Sequence, residues 1–178
     1  MSSTEDRSRV LISAASGHGS TTEIARAIGQ RLATDDIAVD IVPPAAVDSL
    51  DGYDAVILGS AVYVGHWLAE ARDFAIRFRD ALAVRPVWLF SSGPVGDPAR
   101  KFVQSLEQEP ADVTRIRQDI EARDYRMFTG KLDPQALSLA QRASLLVVRG
   151  MSGDFRDWQL ITQWADEIAA SLNALQQR

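Results

Sequence analysis

The sequence predicts an α/β protein built on a doubly wound, five-stranded parallel sheet in the order 2-1-3-4-5, with helices on both faces. Three observations predict it. Short apolar runs such as Val10-Leu11-Ile12, Val56-Ile57-Leu58 and Val87-Trp88-Leu89-Phe90 have the length and side-chain types of strands buried on both sides. Segments with apolar residues at three- and four-residue spacing separate those runs, as the crossovers of a parallel sheet require. The first, third and fourth runs all end in small residues, which suits the carboxyl edge of such a sheet, where ligands bind near the reversal of strand order.

Each element has its own signal. Residues 1–8, MSSTEDRS, read as a flexible tail, and residues 9–178 as a single domain. The first strand passes through Ser13-Ala14-Ala15-Ser16 into Gly17-His18-Gly19-Ser20-Thr21. A helix then runs from about Thr22 to Ala33, with Ile24, Ile28 and Leu32 on one face and Ser20 or Thr21 as its N-cap. Ile37 to Val42 is the second strand, stopped by Pro43-Pro44, and Ala45 to Leu50 has room for a short helix. Asp54 to Ser60 is the third strand, followed by a loop, Ala61 to Trp67, and a helix from about Leu68 to Leu82. Pro86 to Ser92 is the fourth strand. Residues 99–122 read as helix in two pieces broken near Pro110, Tyr125 to Leu132 as the last strand, and Ala136 to Val148 as a helix. The final helix, Phe155 to Leu175, carries Trp158, Ile161, Ala165, Ile168, Leu172 and Leu175 as a stripe. Asp154 is its expected N-cap, with Phe155 and Trp158 docking it; Trp88 and the helix stripes read as core.

Composition narrows the function. A formal charge of −5 over 178 residues argues against nucleic acid as the main partner. Without cysteine there are no disulfides, thiolate chemistry or Fe–S ligands. Two histidines, with no carboxylates at ligand spacing, argue against a metal site. No apolar run reaches the length of a membrane span, and residues 1–8 lead into no signal-peptide core, so the cytoplasm is the expected compartment. The Gly-x-Ser-x-Gly elbow of α/β-hydrolases is missing, and Gly17-His18-Gly19-Ser20-Thr21-Thr22 lacks the third glycine of the dinucleotide fingerprint.

The loops at the strand ends supply the candidate chemistry. Ser16, Gly17, His18, Gly19, Ser20 and Thr21 form a hydroxyl- and glycine-rich turn into a helix N-terminus, the local arrangement that holds a phosphate without a lysine. The second loop places Tyr63 among Ser60, Ala61, Val62 and Gly65, where its ring can stack on a flat heterocycle. The third, with Ser91, Ser92, Gly93, Pro94 and Gly96, offers backbone N–H groups to polar atoms on that heterocycle's edge. The plainer readings are a simple strand–helix turn for Gly17 and Gly19, a core or surface ring for Tyr63, a solvated His18, and packing roles for His66 and Trp67.

These stretches resemble the flavodoxin-like FMN proteins. The resemblance rests on Ser16 to Thr21 with Glu23-Ile24-Ala25, on Tyr53-Asp54 and Gly59 to Gly65, on Phe90 to Pro94, and on Gly153 to Trp158. Within that fold the chain is similar to the branch containing menaquinone-dependent protoporphyrinogen dehydrogenase. Flavodoxins proper often carry a Thr-Gly-Asn/Thr-Thr phosphate loop, whereas His18 sits in this turn. The resemblance implies FMN as cofactor, with its phosphate in the first loop and its ring between the second and third. It also implies a small-molecule redox substrate or a quinone as partner. The alternative is a flavodoxin-type electron carrier that docks on a redox protein and has no substrate of its own. The near-balanced charges of residues 99–124 fit at most peripheral membrane contact.

Overall fold

A computed structural model describes residues 7–93, 109–132 and 153–177. Its elements, in chain order, are β1 (Ser8–Ala15), α1 (Ser20–Leu32), β2 (Ile37–Ile41), β3 (Ala55–Tyr63), β4 (His66–Trp67), α2 (Ala69–Arg77), α3 (Arg79–Ala83), β5 (Val87–Ser92), α4 (Ala111–Asp119), β6 (Asp124–Phe128), β7 (Lys131–Leu132), β8 (Gly153–Asp154) and α5 (Trp158–Gln176). Strands β2-β1-β3-β5-β6 lie side by side, all parallel. This is the predicted 2-1-3-4-5 order once β4, a short antiparallel return on β3, is set aside.

The continuous apolar runs resolve into two faces because successive side chains in a strand point to opposite sides. Val10, Ile12, Ile57, Trp88 and Phe90 face α1 and α5 and pack with Ile24, Ile28, Ile161, Trp164 and Ile168. Leu11, Val56, Leu58, Val87 and Leu89 face the other way, onto Phe74, Leu82, Val113 and Ile120 of α2, α3 and α4 and the turn that follows. Every one of these residues is 4% exposed or less. Among the described residues no helix is long and apolar enough to cross a membrane.

Several boundaries differ from the sequence reading, each for a local reason. β1 begins at Ser8, inside the predicted tail, because Ser8 N–H bonds to Asp36 and the Arg7 guanidinium reaches the Thr34 and Ile37 carbonyls. Gly19, not Ser20 or Thr21, is the N-cap of α1: the position needs φ 86°, a left-handed value that glycine takes without strain. The short helix expected after Ala45 is only a single 3₁₀ turn, Pro44–Ala46. The Ala61–Trp67 loop is instead the end of β3, a turn through Val64 and Gly65 at φ 50° and 77°, and β4. Two successive positive φ values make a tight two-residue hairpin whose twist matches its strands.

The helix expected over Leu68–Leu82 divides at Phe78, where the backbone takes φ −105° and ψ 17° and the ring meets Phe74 edge-on at 4.9 Å. Pro110 does precede a helix, α4, since it can cap but not continue one. The first helical piece of residues 99–122 and the helix at Ala136 to Val148 fall wholly or largely outside the described residues. The predicted strand Tyr125 to Leu132 is two strands: β6 completes the main sheet, and β7 turns away to pair with β8. At α5 the cap is Asp157, whose carboxylate accepts the Gln159 and Leu160 N–H groups, not Asp154. Trp158 is 40% exposed, with Arg156 over its ring at 4.4 Å, and Trp164 is the aromatic that docks the helix.

Trp164 also ties α5 to β6. Its Nε1 donates to Asp124 Oδ2 at 2.8 Å, and Arg126 Nε donates to the same oxygen at 2.9 Å. Partial burial opposes the Asp124 charge, yet these donors and the Tyr125 N–H outweigh it and hold the carboxyl below its ordinary range. A carboxyl depressed on folding stabilises above its unfolded pKa, and that stabilisation is lost as pH falls through the folded value. Asp124→Asn is therefore expected to lower stability by about 1 kcal/mol at pH 7, allowing for solvent screening of a partly exposed group. The gap to wild type should close below about pH 4 in urea denaturation.

Candidate functional site

The pairing register brings the predicted loops together. Ala15 of β1 lies opposite Ser60 of β3, Ser60 and Ala61 lie opposite Ser91 and Ser92 of β5, and Ser92 lies opposite Phe128 of β6. A cavity of about 100 Å³ opens at these carboxyl ends. Its floor comes from the first loop and the start of α1 (Ser16, Gly17, His18, Ser20 and Thr21). Ala61, Val62 and Tyr63 at the end of β3 and Ser92 and Gly93 at the end of β5 also line it. Gly130 and Lys131, which the sequence reading passed over, complete its described lining.

The first loop is arranged as a donor set. Ser16 Oγ accepts the Gly19 N–H at 2.9 Å, and Ser20 Oγ accepts the Lys131 N–H at 3.2 Å. Each hydroxyl is thus fixed through its lone pair and keeps its proton for an acceptor in the cavity. Thr21 is 1% exposed and its Oγ1 has no partner among the described residues. An unpaired buried hydroxyl is unfavourable unless a ligand completes it. The first N–H groups of α1 face the same end of the helix, where its dipole favours negative charge. No carboxylate lines the cavity among the described residues. This set fits a phosphate.

Tyr63 stands over the cavity. It is 43% exposed, its ring lies edge-on to His18 at 6.2 Å, and its hydroxyl would sit 2.9 Å from a Cβ placed on Gly17. Partial burial raises the phenol above its ordinary pKa. Small-molecule sites usually measure about 300–1,000 Å³, and movement of Tyr63 away from Gly17 would enlarge this one. Its exposure allows that rotation.

Other predicted site residues do not reach the cavity with their side chains. Ser60 Oγ donates to the Ala61 carbonyl at 2.8 Å and accepts the Leu68 N–H at 3.0 Å. Ser91 Oγ accepts from Trp67 Nε1 at 2.7 Å and from the Tyr125 hydroxyl at 2.9 Å, on the opposite side of the sheet from Phe90. Burial pushes the Tyr125 phenol up to about 12. Both serines satisfy buried partners because strand alternation turns them inward. Gly19 and Gly65 shape their turns without lining the cavity, and Pro94 and Gly96 lie outside the described residues.

A larger cavity, about 770 Å³, shares Gly93 with this one and lies between the end of β6 and the start of α5. The charged groups of its described lining already have partners. Arg156 pairs with Asp154, and Asp157 caps α5. The smaller cavity therefore holds the uncommitted donors.

The same architecture recurs in solved structures. A mutant of flavodoxin from Pseudomonas aeruginosa superposes with a TM-score of 0.58 at 16% identity, covering 93% of this chain and 99% of that one. The flavodoxin of Streptococcus pneumoniae TIGR4 gives 0.57 at 22%, covering 92% and 99%. Rubredoxin oxygen:oxidoreductase from Desulfovibrio gigas gives 0.60 at 16%, covering 96% of this chain and 38% of that one. No curated protein sequence matches the chain. The flavodoxin domain family matches residues 11–159, well over half of the sequence, so the chain belongs to that family, and FMN is the cofactor this membership indicates.

Proposed function

We propose that the chain holds FMN across the carboxyl ends of β1, β3 and β5 and works as an FMN-dependent oxidoreductase. The observation that carries this reading is the Thr21 hydroxyl, which has no partner among the described residues. It is buried at the start of α1 beside the Ser16 and Ser20 hydroxyls, in a cavity without a carboxylate among its described lining. Ser16, Ser20, Thr21 and the loop N–H groups would take the phosphate. Tyr63 would leave Gly17 and lie against the ring, with Ser92 and Gly93 on its other side. Bound FMN supplies hydride and one-electron transfer, while the protein fixes the ring and limits water around it.

The finer reading takes a protoporphyrinogen as electron donor and a quinone as acceptor, in the cytoplasm. Its support is the resemblance of those sequence stretches to that branch. A second reading, a carrier that passes electrons between proteins, is favoured by the net charge of −5, which suits docking to basic partners.

Titration of the purified chain with FMN tests the common part. Quenching of flavin fluorescence that saturates in the micromolar range is expected, and its absence would remove the reading. Porphyrinogen oxidation with added quinone then separates the two finer readings, since a carrier turns over nothing alone. Tyr63→Ala is expected to weaken FMN binding about tenfold and to shift the visible flavin spectrum, through loss of ring stacking. An unaltered spectrum would place the ring elsewhere.

A further inference from the structure

Lys131 enters the cavity from an unexpected direction. It follows β6 and belongs to β7, outside the main sheet, yet it lines the same space as Ser16, Ser20 and Thr21. A ring of contacts holds it there. Its N–H donates to Ser20 Oγ on α1, and across the β7–β8 ladder it lies opposite Asp154. Arg156 donates to both Asp154 oxygens, at 2.8 and 2.6 Å, and to Glu23 Oε2 at 2.5 Å. Glu23 is in the first turn of α1, three residues from Ser20, so the circuit closes on the helix that bears the phosphate donors. The Arg156 side chain at its centre is 3% exposed.

Arg156 donates to both carboxylate oxygens of Asp154, the residue opposite Lys131 in the ladder. Glu23 shares the same guanidinium. Lys131 is the one lysine or arginine among the described residues lining this cavity, and no carboxylate is among them; its charge also helps to hold the Asp154 carboxyl low, without a direct ion pair between the two. A cation placed beside hydroxyls and a helix N-terminus adds a point charge to a neutral donor set, and its effect is felt only by a charged ligand.

We infer that Lys131 reads the phosphate charge of the bound flavin and sets the preference for FMN over riboflavin. The assignment rests on the FMN reading above. It adds a cationic contact from the β7 strap to a site that otherwise works with neutral groups.

The test compares wild type, Lys131→Met and Lys131→Arg, each titrated with FMN and with riboflavin at low and high salt by flavin fluorescence. Lys131→Met keeps the backbone N–H that binds Ser20, so the strap stays in place. It is expected to lose about tenfold in FMN affinity and nothing in riboflavin affinity, and to flatten the salt dependence of FMN binding. Lys131→Arg should retain the preference. Equal losses for both flavins would mean a packing role, and unchanged FMN affinity would mean no contact; either overturns the assignment. A wild-type chain that binds neither flavin overturns the FMN reading itself and this assignment with it. Wild type binding both flavins equally overturns the assignment alone.

Discussion

Gly59→Ala should destabilise the protein by about 3 kcal/mol, one of the larger effects available to a single methyl group here. Gly59 lies in the middle of the sheet, paired with Phe90 on β5. The Phe90 ring is folded across it, and a Cβ at Gly59 would approach three ring carbons more closely than real Cβ atoms do. The ring has nowhere to retreat. It is fully buried, and Phe128 and Trp164 each stand 6.2 Å from it, tilted or edge-on. Alanine ordinarily gains about 0.5–1 kcal/mol over glycine in a regular element, so the collision must first overcome that gain. Chemical denaturation of Gly59→Ala, alone and with Phe90→Leu, checks the cause. The smaller side chain makes room, so the double variant should lose less than the sum of the singles. A single-variant loss below about 0.5 kcal/mol would mean that the ring does not occupy this space.

Gly59 illustrates why the fold was readable in the sequence and the fit was not. The apolar runs at Val10, Val56 and Val87 and the stripes between them depend only on period and burial, which are local properties. They are enough to give the sheet order and the helices on each face. That a phenylalanine fills the place of a missing Cβ depends on register between β3 and β5, which no local pattern encodes. The same division runs through the site. The first loop is legible because glycine, hydroxyl and helix start are contiguous. The β3–β4 hairpin is hidden because Val64, a β-branched residue, occupies a left-handed position where turn chemistry calls for asparagine or glycine. Ser60 and Ser91 look like ligand contacts by position, but alternation commits their hydroxyls to Leu68, Trp67 and Tyr125. Thr129-Gly130 carries a turn signal that could have divided the last strand. Nothing local, however, brings Lys131 to Ser20 across more than a hundred residues.

Thr21→Val together with Ser20→Ala should weaken FMN binding about a hundredfold, while stability falls by no more than about 1 kcal/mol, the contribution of the bond from the Lys131 N–H to Ser20 Oγ. Two charge-assisted hydrogen bonds to phosphate are removed, each expected to contribute about 1.5 kcal/mol or more. Valine keeps the shape of threonine and deletes only the hydroxyl. That hydroxyl is buried without a partner among the described residues, so its loss should be neutral or slightly stabilising. Thr21→Val alone, which should lower affinity without lowering stability, is the diagnostic arm. A residue that merely supports α1 would lower the melting temperature and the affinity together. Here α1 is held by Ile24, Ile28 and Leu32 against the sheet and α5, and the two substitutions leave that face untouched. Riboflavin, which has no phosphate, should bind the double variant about as well as it binds wild type. Thermal melts of the free variant beside titrations with both flavins give the answer. Unchanged FMN affinity with a lowered melting temperature would remove the start of α1 from the site and leave Thr21 as a packing residue.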